Sequence, residues 1–298
     1  MEINLKNAVK YFFPRPSLEM VYFESVANAI DANSSEIDIT IKLDSFANYT
    51  TLNLLVIDNG EGFTNERFKK FSKLLEVEGE DHKGVGRLVF LNYFDKIEFL
   101  SSYANLTRSF ILSGTFKGEN KVKENTTGHQ GTEVNFKSYS KGKINSYDYV
   151  KPDSIKKALL LHFFPLFYSL KIKKKQLRIG IKLETREPNL DQGFFTDSRE
   201  ILVSEIPELT KLTFKAEEID LFEDLNLYYS IKENQQDTNI ITALSVDGRS
   251  IQMDLLSKGG IPVGYEIIFI LYSKIFKGKT SASRQELNMS EGELRAIK

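Results

Sequence analysis

Residues 51–63 read TLNLLVIDNGEGF. An almost wholly apolar run ends at a carboxylate and passes into a turn with two glycines, so Asp58 closes a buried strand beside backbone that carries little side chain. The sequence Asp-x-Gly-x-Gly is a common turn, and its meaning depends on its neighbours. Upstream, EIDITIKLD at 36–44 alternates Ile37, Ile39, Ile41 and Leu43 with polar residues, the pattern of a half-buried strand. Before it, SLEMVYFESVANAIDA at 17–32 has helical periodicity, with Ser17 after Pro16 as the expected N-cap. Tyr22, Val26, Ala29 and Ile30 share one side of that helix, and Glu24, Asn28 and Asp31 share the other.

Downstream, an amphipathic helix is expected from Thr64 to Leu75, followed by the charged, glycine-rich segment EVEGEDHKGVG at 76–86, the composition of a lid. RLVFLNYF at 87–94 reads as helix, and DKIEFL, TRSFILS and GTEVNF as strands of a mostly antiparallel sheet. A capped helix is expected near Asp153 or Ser154, carrying Ile155, Leu159 and Phe163, then the strand QLRIGIKLE. Proline, glycine and polar residues concentrate in TREPNLDQGFF at 185–195, which places a boundary between domains 1–190 and 191–298. The second part has strand patterns at LNLYYSI and ITALSV, a hairpin turn at Asp247-Gly248 and an apolar segment from Tyr265 to Phe276. The class read from this order is α+β.

The 298 residues carry 40 Lys+Arg and 41 Asp+Glu, a net charge of -1, so no global field favours nucleic acid or a membrane surface. Cysteine is absent, which excludes thiol catalysis, thiolate metal sites and disulfides. The most apolar run, Ala158 to Leu170, is interrupted by His162 and Pro165 and is too short to span a bilayer. The expectation is a soluble cytoplasmic protein with no membrane partner. The basic run from Lys171 to Lys182 has six cations and no acid, and reads either as a phosphate contact or as a solvated strand and turn.

Three features align with the helix face. Asp58 can accept from an exocyclic amine, with Gly60 and Gly62 leaving room for a flat ring. KGVGR at 83–87 opens a helix with two glycines, an arrangement suited to phosphate. Gly131-Thr132 begins a later strand and can add a hydroxyl. Singly these are weak signals; in this order and spacing they resemble the GHKL ATPase superfamily of gyrase B, the ninety-kilodalton heat-shock chaperones, sensor histidine kinases and MutL, together with the related MORC ATPases. FESVANAIDA, VIDNGEGF, KGVGRLVF and GTEVNF are similar to its four motifs in turn, across residues 17–136.

The resemblance implies a two-layer α/β sandwich of the Bergerat type, followed by a smaller α+β transducer-like domain related to ribosomal protein S5. It implies magnesium-dependent ATP binding and slow hydrolysis that drives a conformational or dimerisation switch. Glu24 would then be the general base and Asn28 the magnesium ligand. Asp58 would hold the adenine amine, with Thr132 assisting. Lys83, Gly84, Gly86 and Arg87 would belong to the phosphate lid. SASRQELNMS at 281–290 is similar to a chaperone segment whose arginine reaches the γ-phosphate, making Arg284 the expected sensor, with Lys279 as its rival. The implied partners are ATP, a second copy of the chain, and a protein, DNA or defence client. The alternatives are a nonenzymatic nucleotide-binding interaction module and a histidine kinase catalytic domain.

Overall fold

A computed structural model describes residues 16–72, 86–125, 130–140, 146–189, 193–219, 221–234, 239–253, 263–280 and 287–297. The fold is α+β, with a large mixed sheet and a smaller one.

The large sheet has eight strands in the order β5-β4-β3-β6-β2-β1-β7-β8. They are β1 (Glu36–Leu43), β2 (Asn53–Asp58), β3 (Phe94–Tyr103), β4 (Leu106–Leu112), β5 (Lys121–Glu124), β6 (Gly131–Tyr139), β7 (Arg178–Asn189) and β8 (Gly193–Leu202). All neighbours pair antiparallel except β1 with β7. Ile37, Ile39, Ile41, Leu54, Val56, Ile97, Phe136, Ile179 and Ile181 lie on one buried face, as the alternation in β1 requires.

Helix α1 (Glu19–Asp31) buries Val21, Tyr22, Val26 and Ala29, while Asn28 and Asp31 are exposed. Ser17 makes no cap: Leu18 occupies the N-cap position with helical backbone and no side-chain bond. Helix α2 (Asn65–Ser72) is started by Thr64, whose Oγ1 accepts from the Arg67 N–H at 3.2 Å. It packs Phe68 and Phe71 against Phe99 and Phe110 with ring centroids 5.0–5.3 Å apart. Helix α3 (Leu88–Tyr93) sets Phe90 edge-on to Phe136 of β6 at 5.0 Å.

Helix α4 (Pro152–Ile172) runs through Pro165 and ends in the basic turn. The smaller sheet has the order β12-β11-β13-β10-β9. Its strands are β9 (Thr210–Phe214), β10 (Leu225–Glu233), β11 (Asn239–Val246), β12 (Arg249–Gln252) and β13 (Tyr265–Tyr272). Asp247 and Gly248 both have positive φ, 50° and 76°, the backbone of a tight hairpin turn between β11 and β12. A core of Leu225, Leu244, Val246, Leu271 and Phe276 closes against Ile297 of α5 (Glu291–Ile297).

The chain divides into two compact units, 1–159 with 175–204, and 160–174 with 205–298. The boundary expected at 190/191 falls elsewhere: the Pro- and Gly-containing stretch that suggested a linker lies within the antiparallel β7–β8 pair, with Pro188 opposite Phe194. Residues 160–172 of α4 and the turn to 174 belong with the second unit, which the chain order alone does not reveal.

Candidate functional site

The end of β2 is the centre of the candidate site. Register places Asp58 opposite Thr132 of β6, Thr132 opposite Ser101 of β3, and Ser101 opposite Arg108 of β4. Paired residues point to the same side of a sheet, so a row of polar side chains crosses the face that is otherwise apolar.

Asp58 is half-buried, and that burial raises its carboxyl pKa above the ordinary range; donors on Gly60, Ser34 and Thr132 and the charge of Arg67 pull the other way. The Gly60 N–H donates to Oδ1 at 2.8 Å and the Ser34 hydroxyl to the same oxygen at 3.0 Å. Ser34 reaches it because α1 ends in a Schellman turn. Asn33 takes the left-handed conformation with φ of 59°, the Asn33 N–H donates to the Ile30 carbonyl at 2.9 Å, and the Ser34 N–H donates to Ala29 at 3.1 Å. That reversal carries the chain from the helix end directly to the strand end.

The turn after Asp58 is fixed at every residue. Asn59 Oδ1 accepts from the N–H groups of Ser35 and Glu36 at 2.9 and 3.0 Å. A Cβ on Gly60 would stand 2.5 Å from Ser34 Oγ and 2.7 Å from the Ala32 carbonyl oxygen, so only glycine fits there. The Glu61 N–H donates to Ala32 at 2.8 Å, and the Glu61 carboxylate receives Asn33 at 2.6 Å and Arg67 at 2.7 Å. Those two donors hold the Glu61 carboxyl below the usual range. Arg67 also donates to the Asp31 carbonyl at 3.1 Å, so Asp31 braces the turn through its backbone. Beyond Gly62, the Phe63 N–H donates to Ser101 Oγ at 2.7 Å, and the Phe63 ring enters the cluster of Phe71, Phe99 and Phe110. Ser101 Oγ lies 3.0 Å from Thr132 Oγ1, which ties the turn to the Asp58–Thr132 pair.

The second part of the site is the half-buried Glu24 on α1. A Cβ on Gly86 would coincide with the Glu24 carboxylate, so the backbone leading into α3 lies directly against that group. Arg87 follows, its guanidinium 4.8 Å from the centroid of Phe71, with desolvation lowering its pKa to about 10. Asn28 lies one turn beyond Glu24 and is exposed. Among the described residues no three His, Cys, Asp or Glu side chains gather as a metal cage. Asn28 offers one exposed amide oxygen, a hard oxygen donor that would serve as a single protein ligand to a magnesium ion.

The structure therefore brings Asp58, Gly60, Gly62 and Thr132 together at the strand ends, and Glu24, Gly86 and Arg87 at the α1–α3 edge. Lys83, Gly84 and Arg284 lie outside the described residues, as do His82 and His129. Lys279 is paired with Glu293 at 3.2 Å. Half of the basic run is engaged: Lys171 with Glu208, Arg178 with Asp38 and Lys182 with Glu184. His162 sets its ring edge-on to Phe163 at 4.7 Å.

Sequence reading missed Ser34, Arg67, Ser101 and Arg108. Arg108 is only 4% exposed; its guanidinium stacks over Phe68 at 4.4 Å, donates to Tyr103 Oη at 2.8 Å and Asn120 Oδ1 at 3.1 Å, and also bonds Asn65. An arginine inside an apolar strand run was the available signal.

No family model and no curated protein matches the chain. Among solved structures it is similar to the crystal structure of the N terminal domain of a DNA repair protein, with a TM-score of 0.61, 12% identity, and coverage of 99% of this chain and 94% of that one. At that identity the likeness is one of fold. Among the described residues no helix is long and apolar enough to cross a membrane.

Proposed function

We propose that this chain binds ATP with magnesium and hydrolyses it slowly, as a member of the GHKL superfamily with a Bergerat-type site, and that nucleotide occupancy drives a conformational or dimerisation switch. The observation that carries this reading is the half-buried Asp58 carboxylate at the end of β2, fixed by Ser34 and Gly60 beside a turn that admits no Cβ at Gly60. A carboxylate held this way accepts one N–H from a flat heterocycle and leaves its ring against glycine backbone.

Glu24 is the proposed base, its carboxylate placed against Gly86 at the mouth of α3. Asn28 would hold magnesium, which supplies charge neutralisation on the phosphates; the chain's own part is to orient and to accept a proton at Glu24. Arg87 adds a dry, fixed cation beside Phe71, suited to phosphate. The similarity in fold to the N terminal domain of a DNA repair protein supports a search for a DNA-linked client.

Equilibrium binding of ATP to wild type and to Asp58→Asn, with and without magnesium, tests the reading. Binding by wild type and its loss in the variant is the expected result; equal binding by both removes Asp58 from base recognition and refutes the site.

A further inference from the structure

We propose that Ser34 is a specificity-determining positioning residue of this site: with Gly60 it occupies Oδ1 of Asp58, so that Oδ2 is the oxygen left for the base. The inference rests on the nucleotide reading above and deepens it.

An ionised carboxylate has about four lone-pair sites. Ser34 Oγ donates to Oδ1 at 3.0 Å and the Gly60 N–H donates to the same oxygen at 2.8 Å. Both positions of Oδ1 are thereby taken, and Oδ2 is the oxygen left to accept from a base. Ser34 itself is only 9% exposed. Its backbone is fixed by the Schellman turn, and Gly60 closes over its hydroxyl. The hydroxyl is thus held on Asp58 as part of the fold rather than recruited by a ligand.

A 6-aminopurine presents one N–H to Oδ2. A 6-oxopurine presents a lone pair there and is rejected while the carboxyl is ionised. The charged group acting on Asp58 is Arg67, itself paired with Glu61, while Ser34, Gly60 and Thr132 are neutral donors. Loss of the Ser34 donor removes one interaction that favours the ionised form, so protonation occurs at higher pH and turns the carboxyl into a donor.

The test is a competition titration of wild type and Ser34→Ala with magnesium-ATP and magnesium-inosine triphosphate from the ordinary carboxylate range up to neutral pH, the direction in which burial moves the Asp58 carboxyl. Magnesium-tripolyphosphate serves as a probe without a base. For Ser34→Ala the proposal expects about a tenfold loss of ATP affinity at neutral pH, the size of one hydrogen bond to a charged group. It also expects an acid limb displaced to higher pH, a smaller preference for ATP over inosine triphosphate, and unchanged tripolyphosphate affinity. Superimposable ATP profiles for the two proteins overturn the role of Ser34 and leave the nucleotide reading standing. Equal losses of ATP and tripolyphosphate show a collapsed site and likewise overturn it. Absence of ATP binding by wild type overturns both.

Discussion

The Glu24 carboxylate occupies the space that a Cβ on Gly86 would need. A side chain from the middle of α1 and the backbone entering α3 are therefore in direct contact, and the glycine is required by that approach rather than by an unusual backbone angle. The obstructing atoms are the far end of a flexible side chain, so Gly86→Ala is expected to fold with a stability change within about 1 kcal/mol while pushing the carboxylate aside. ATP turnover should fall at least tenfold with affinity nearly unchanged. Steady-state kinetics beside equilibrium binding separates the two, and an intact turnover number contradicts the placement of Glu24.

Gly60 makes the opposite case. Its Cβ would meet the backbone oxygen of Ala32 at 2.7 Å and Ser34 Oγ at 2.5 Å, and backbone at a helix end cannot retreat cheaply. Gly60→Ala should cost roughly 1–3 kcal/mol, the range for overpacking, and should weaken ATP binding by disturbing the bonds to Asp58. Chemical denaturation and binding on one preparation check both, and a variant as stable as wild type contradicts the described packing.

Burial raises the Asp58 carboxyl, so between the unfolded and the raised folded pKa the native state holds the proton more tightly than the unfolded chain does. The contribution of this group to stability is present at acid pH and is lost as pH rises through the folded pKa. Asp58→Asn removes the titration. The melting temperature of the variant relative to wild type should therefore rise as pH goes from the ordinary carboxylate range toward neutral, the direction linkage requires for a raised carboxyl. A difference that stays flat or falls over that interval shows that Asp58 is not held above its ordinary pKa.

Arg108 joins β4 to α2 through Asn65, Tyr103 and the face of Phe68. Arg108→Ala leaves the buried Tyr103 hydroxyl without this donor and removes a desolvated cation–π contact, for an expected loss of about 1–3 kcal/mol. The first unit should melt earlier, which hydrogen exchange of β3 and β4 would report; unchanged protection contradicts a structural role.

Much of the fold was legible because its signals are local. The alternation in β1, the apolar run of β2 and the Asp247-Gly248 turn each specify their own geometry, and the Asp58 turn declared itself through Gly60 and Gly62. Ser34 and Ser101 gave no such signal. A serine after a helix and a serine in a strand are ordinary residues, and only strand register and the Schellman turn bring them to Asp58 and Thr132. The domain boundary was misplaced for a related reason. Proline and glycine occur within a pair of consecutive antiparallel strands as readily as in a linker, and composition does not tell the two apart.

The most direct test of the central claim is magnesium-dependent ATP turnover by wild type beside Glu24→Ala, with nucleotide affinity measured on both. The account predicts slow turnover by wild type, and a variant that binds ATP but does not hydrolyse it. If the variant turns ATP over at the wild-type rate, Glu24 is not the base; if neither protein binds ATP, the assignment of the site at the end of β2 is wrong.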